Sequence, residues 1–227
     1  DHRDLHSFPT RRSSDLGAIN LILACRANGQ PKIVYSSTGG AIYGDPKVED
    51  LPVDENYPAL PLSPYGLTKH TVERYLGLEA LVHGQPYTVV RFANVYGPRQ
   101  DPHGEAGVVA IFTRRILDGG VCTVFGDGEQ TRDFVYVGDV ARACIAAADA
   151  PNGEVFNVGT GEETTVNQVV DALRAAWDGE MNVNYAPARP GEVQRIALDI
   201  TKAGQVMGWA PKVGFTEGIQ MTVDSFR

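Results

Sequence analysis

Apolar positions along the chain switch repeatedly between a helical and a strand period, in an order that predicts an α/β protein. Ile19, Leu21, Ile22, Leu23 and Cys25 mark an amphipathic helix over residues 17–28, closed by Gly29. Residues 32–37 (Lys-Ile-Val-Tyr-Ser-Ser) read as a short buried strand, followed by a Gly-Gly loop and a Pro-rich stretch, 45–64. Ser63 and Pro64 form an N-cap and N1 pair for a long helix to about His83, and residues 87–92 form the next strand. Helix, strand, helix, strand at this spacing implies right-handed crossovers and a parallel sheet. Beyond it the pattern predicts helices at 107–119, 138–149, 165–177, 200–207 and 215–226, and strands at 121–125, 154–158, 182–185 and 194–198. Thr165 and Gln168 have the spacing of a capping box.

Composition narrows the function classes. The 227 residues are 43% hydrophobic, enough for one or two domains with cores, and no apolar run approaches the roughly 20 residues of a membrane helix. A net charge of −8 argues against nucleic acid and anionic membrane as partners, and an anionic small substrate would need locally placed arginines. Cys25, Cys122 and Cys144 are odd in number and widely spaced, which reads as free, buried thiols in a reducing, cytoplasmic setting. The five histidines show no ligand spacing, so no metal site is expected. Residues 1–16 carry neither period, and the run Phe8–Leu16 resembles translated sequencing-adapter sequence; we expect 1–16 to be a non-native leader, with the native helix starting at Gly17.

Two short constellations carry candidate chemistry. Tyr65 and Lys69 stand at i and i+4 of the long helix, on one face about a turn apart. A cation beside a phenol favours the phenolate and makes it a usable base near neutral pH. Upstream, Ser36-Ser37-Thr38 ends a buried strand, where open α/β sheets hold their ligands. A glycine-rich strand–turn–helix of the form GxGxxG is absent from the sequence, and the lone Gly159-Thr160-Gly161 reads as a strand-to-helix turn.

Five ordered segments then resemble a known family. They are Val-Tyr-Ser-Ser-Thr-Gly-Gly-Ala-Ile-Tyr-Gly (34–44), Ser-Pro-Tyr-Gly-Leu-Thr-Lys (63–69), Arg-Phe-Ala-Asn-Val-Tyr-Gly-Pro-Arg (91–99), Gly-Asp-Gly-Glu-Gln-Thr-Arg-Asp-Phe-Val-Tyr-Val (126–137) and Arg-Pro-Gly-Glu (189–192). Together they are similar to the extended short-chain dehydrogenase/reductases, the NAD-dependent epimerase/dehydratase family, and most like its UDP-hexose 4-epimerases. The 4,6-dehydratases place an Asp-Glu pair where this chain has Gly39 and Gly40, which argues against elimination of water.

The resemblance implies a doubly wound, Rossmann-type parallel-sheet domain, partial here, over 17–96 and 134–158. It also implies a smaller α/β nucleotide-sugar-binding domain over 97–133 and 159–227. It implies Tyr65 as base, Lys69 on the nicotinamide ribose, and Thr38 as the steering hydroxyl, with Ser37 in reserve. Tyr65, Lys69, Ser36 and Phe92 would face NAD. Arg132 and Arg189 would clamp a UDP-sugar diphosphate beside Asn94, Val108 would lie on the uracil, Glu192 on the ribose and Ile196 near the sugar 2-position. Read from the residues alone, Arg132 equally suits an ion pair with Asp133, and Asn94 a strand-end cap. The resemblance further implies a homodimer through the helices at 17–28 and 64–83, and a chain lacking the front of its NAD-binding half, with an exposed sheet edge and no turnover of its own.

Overall fold

A computed structural model of the protein describes residues 7–103, 107–189 and 191–227. Its centre is a parallel three-stranded sheet in the order β1 (Ile33–Thr38), β2 (Tyr87–Phe92), β7 (Glu154–Val158). Alternation along β2 sends Val89 to one face and Val90 to the other. Val89 packs with Val72 and Leu76 of α3 (Pro64–His83) and Ile22 of α1 (Ser7–Ala27). Val90 packs with Ala143 and Ala147 of α5 (Val137–Asp149), together with Phe156 and Val158. Among the described residues β1 pairs with β2 alone, so its outer edge has no partner strand.

A second core lies under α4 (Val108–Leu117), α6 (Val166–Ala176) and α8 (Phe215–Phe226). Val109, Phe112, Leu173, Ile219 and Val223 meet there over Cys122 and Val124 of β4 (Val121–Phe125), which pairs in parallel with β9 (Asn182–Ala186). Two short ladders join the cores: β3 (Asn94–Tyr96) with β6 (Phe134–Tyr136), and β5 (Thr131–Arg132) with β8 (Thr164–Thr165). A short helix α7 (Thr201–Met207) follows the last extended segment.

Several elements form where their end signals stand. The Ser63 hydroxyl accepts the Gly66 amide at 3.1 Å, Pro64 opens α3, and Gly84 closes it at φ 71°. Thr165 and Gln168 exchange both bonds of a capping box at the start of α6. Other elements depart from the pattern. Helix α1 begins at Ser7 rather than Gly17; a first-turn Pro9 is compatible, because that amide has no helical partner. The Gly-Gly segment is a short helix, α2 (Gly39–Ile42), not a loop. Residues 194–198 are an extended strap with a single bridge, Val53 to Leu198, rather than a strand. Cys122 is buried, whereas Cys25 and Cys144 are half-buried. No described helix is long and apolar enough to cross a membrane.

Candidate active site

Thr38 ends β1 and precedes α2, yet its hydroxyl makes no cap bond to that helix. It stands close enough to the Tyr65 phenol to favour its ionised form. Ser36 and Thr38 share one side of the strand and Ser37 points to the other, where its Oγ is buried without a partner. Of the two hydroxyls considered from the sequence, Thr38 is therefore the one that meets Tyr65. One turn along α3, the Lys69 ammonium donates to the Ser36 carbonyl at 2.8 Å. It lies 5.9 Å from the Tyr65 ring centre and 5.3 Å from that of Tyr35.

The electrostatics differ from the expected acidic phenol. Tyr65 is 37% exposed, yet partial desolvation of its phenol pushes it above its ordinary value, and Thr38 only partly offsets this. Burial also pulls Lys69 below the usual ammonium value. The ammonium donates to a backbone carbonyl, and desolvation is the largest influence on the phenol.

Helix α3 is held in place from beneath. Arg91 of β2 grips Glu73 of α3 through two bonds, 3.1 and 2.7 Å, and donates to Tyr43 at 2.9 Å. Tyr43 donates on to Asn157 of β7 at 2.7 Å, whose amide reaches the Val53 carbonyl at 3.0 Å. Glycines allow the close approach above. A Cβ on Gly66 would overlap the Ala41 carbonyl oxygen, one on Gly39 the Leu198 side chain, and one on Gly40 would stand 2.9 Å from Asn94 Oδ1. A side chain at Gly39 would therefore require Leu198 to move.

The arginine expected to hold phosphate lies on the adjoining ladder. Asn94 donates its amide to the Asp133 carbonyl at 2.8 Å, which brings β5 and β6 beside the end of β2. The Arg132 guanidinium is largely buried, bonds the Thr131 carbonyl at 2.7 Å, and faces Glu192 at 3.4 Å. Burial lowers its pKa, while Glu192 and then Asp45 pull it back up.

Sequence comparison matches residues 10–159 to the NAD dependent epimerase/dehydratase family. The chain belongs to that family. A putative UDP-glucose 4-epimerase of Methanocaldococcus jannaschii is 48% identical over 209 residues, covering 92% of this chain and 67% of that relative. The Thermotoga maritima UDP-glucose 4-epimerase, solved with UDP-glucose, superposes with a TM-score of 0.87 at 49% identity, covering 93% of this chain and 68% of that one. The Thermus thermophilus UDP-glucose 4-epimerase, solved with NAD, gives 0.88 at 46% identity, covering 93% and 69%. The chain thus spans about two thirds of the length of these family members.

The family's cofactor is NAD, and the residues here fit one end of it. Lys69 retains two donors beyond its bond to Ser36, at the carboxyl end of a parallel sheet where such folds bind nucleotides. Phe92 pairs with Thr38 in register and is half-buried beside it. The Gly159-Thr160-Gly161 turn is already filled: Asp133, fully buried, accepts Thr160 N at 2.8 Å, Thr160 Oγ1 at 2.7 Å, Gly161 N at 3.0 Å and Leu198 N at 3.2 Å. Burial holds this carboxyl above the usual range against those bonds. The alternative reading of Arg132 as the ion-pair partner of Asp133 does not hold, because Asp133 points inward to this nest.

The remaining family positions are scattered. Val108 opens α4 half-buried, and Asn94 Oδ1 faces Gly40. Arg189 lies over the Phe125 ring, 3.7 Å from its centre, rather than beside Arg132. Ile196 is 1% exposed within the first core, so its size sets packing there and not the room in an open pocket. Glu73 and Asp45 were missed from the sequence, where each is a single acid without a spacing signal, and Asp133 was read there only as a partner for Arg132.

Proposed function

We propose that the protein serves NAD-dependent epimerisation at C4 of a UDP-hexose through a 4-keto sugar. The observation that carries the reading is the approach of Thr38 to the Tyr65 phenol at the mouth of a parallel sheet, with the Lys69 ammonium beside them. Tyr65 as phenolate would take the sugar 4-hydroxyl proton and later return it; Thr38 would share that proton's hydrogen bond. Lys69 would hold the nicotinamide ribose, and its charge would favour the phenolate once the carbonyl of Ser36 no longer claims it alone. NAD supplies the hydride acceptor and donor at C4. Arg132 would bind the diphosphate, for which a planar guanidinium is matched. The similarity to UDP-glucose 4-epimerases at 46 to 49% identity supports this substrate class.

The test is interconversion of UDP-galactose and UDP-glucose with NAD by a protein spanning the full length of the family members, with Tyr65→Phe as the probe. A loss of about 10²–10⁴-fold in kcat is expected for removal of an acid–base group. Activity that survives the change removes Tyr65 from the role of base. A homodimer is supported by the exposed apolar side chains of α1 and α3, including Leu21, Leu23, Leu67, Leu78 and Leu81. Sedimentation of Leu78→Asp/Leu81→Asp as a monomer, against a dimeric parent, would bear this out.

A further inference from the structure

Lys69 sits where charge is disfavoured: burial pulls its ammonium below the usual value. A carboxylate is the common partner for a desolvated ammonium, yet Lys69 makes no ion pair among the described residues. The acid one turn further along α3, Glu73, is held beneath the helix by Arg91 at 2.7 Å, with His70 at 3.4 Å. What faces the ammonium instead is aromatic. It lies over the Tyr35 ring of β1, 5.3 Å from its centre, and over the Tyr65 ring at 5.9 Å, while it donates to the Ser36 carbonyl at 2.8 Å. These two phenols are the titratable groups turned towards it. The Tyr35 ring is itself fixed, packed against the cluster of Ile22, Val72, Leu76 and Val89.

Resting on the epimerase reading above, we propose that Tyr35 is a positioning residue for that reaction, an uncharged seat that holds the Lys69 ammonium beside Tyr65 without neutralising it. The face of an aromatic ring carries negative potential and attracts an ammonium within about 6 Å of its centre, most strongly where water is excluded. It takes up none of the ammonium's directed hydrogen bonds. With one N–H given to Ser36, two remain for ribose hydroxyls. A carboxylate in the same place would also anchor Lys69, but its charge would oppose a phenolate at Tyr65 and lift that phenol further. A ring leaves the cation's field available to the phenol. An aliphatic side chain in place of Tyr35 would fill the space without this attraction, and Lys69 would lose its proton at lower pH.

The experiment follows Lys69 through the carbon-13 shift of its Cε during a pH titration of lysine-labelled protein, comparing the parent with Tyr35→Phe and Tyr35→Leu. The same variants, in a protein spanning the full length of the family members, are assayed for kcat and KM with UDP-galactose across pH. Tyr35→Phe should keep the parent's titration and rate profile; it has no hydroxyl of its own to ionise. Tyr35→Leu should move the loss of the Lys69 proton to lower pH. It should lower kcat roughly 3- to 30-fold, the range of one desolvated cation–π contact, with KM for the sugar little changed. Its rate profile should narrow from both sides. The acidic limb rises because a weakened cation leaves Tyr65 harder to ionise, and the alkaline limb falls because Lys69 deprotonates sooner. Pentafluorophenylalanine in place of Tyr35 keeps a ring of similar shape and reverses the sign of its face, so it should act as Leu does even where Leu disturbs packing. A Lys69 titration unchanged in both the Leu and the fluorinated proteins overturns the proposal, as does a Phe variant as impaired as Leu. If that titration is unchanged while Tyr65→Phe abolishes turnover, the epimerase reading stands and the seat alone fails. If the titration moves but the parent interconverts no UDP-sugar, the contact has no place in that reaction, and the reading and the proposal fall together.

Discussion

Gly66 faces Ala41 so closely that a Cβ on the glycine would overlap the alanine's carbonyl oxygen. This contact sets how near the first turn of α3 comes to α2, and so whether Tyr65 reaches Thr38. Gly66→Ala should push the helix start away and cost about 1–3 kcal/mol by overpacking. The melting temperature should drop, and tyrosine solvent-perturbation difference spectra should show a more accessible Tyr65. An unchanged melt would mean the helix start yields freely.

The Arg91–Glu73 pair is buried, with side chains 8% and 5% exposed. Removing one partner leaves the other charged in the core, so Glu73→Leu should destabilise by about 3–5 kcal/mol. Arg91→Met/Glu73→Leu together should recover much of that loss. A double-mutant cycle in denaturant measures the coupling; additive losses would deny it.

Tyr43 gives the protein an alkaline limit. Burial pushes its phenol up to about 12, against partial relief from Arg91. A folded-state value above the unfolded one means the stabilisation is complete below about pH 10 and is lost as pH rises towards 12. Tyr43→Phe should be weaker at neutral pH by about 1–3 kcal/mol, because Arg91 and Asn157 each lose a buried partner. It should also show a shallower fall in denaturation midpoint above pH 10. An identical alkaline slope would exclude Tyr43 as a source of that fall.

Asp133 ties three segments through four accepted bonds. Asp133→Asn would set an amide donor against backbone donors and should cost about 1–3 kcal/mol. Faster hydrogen exchange at the Gly161 and Leu198 amides would report the released nest directly. Gly159→Ala should act in the same direction, since its Cβ would overlap the Asp133 carboxylate. Protection retained at both amides would contradict this account.

Elements with a clear period or end signal were legible in advance: β2 and β7 from short runs rich in Val and Phe, α3 from Ser63 and Pro64, α6 from its capping box. The ladders β3–β6 and β5–β8 were not, because strands of two or three residues are too short to show alternation. The strap at 194–198 carries the apolar run Ile196-Ala197-Leu198 but spends its backbone groups on Thr131, Asp45, Val53 and Asp133 instead of on one neighbour. Tyr65, Lys69 and Thr38 were legible through spacing and position. That Thr38 rather than Ser37 meets the phenol was decided by which side of β1 faces it.

Local pattern alone determined the α/β order, the long helix bearing Tyr65 and Lys69, and the hydroxyl-rich end of the preceding strand. Those features depend on periods and caps within a few residues of each other. Tertiary structure alone decided that Arg132 answers to Glu192, that Asp133 fills the Gly159–Gly161 turn, and that the Tyr65 phenol is raised rather than acidified. Each of these depends on burial and on partners far away in sequence, and desolvation has no signature in spacing.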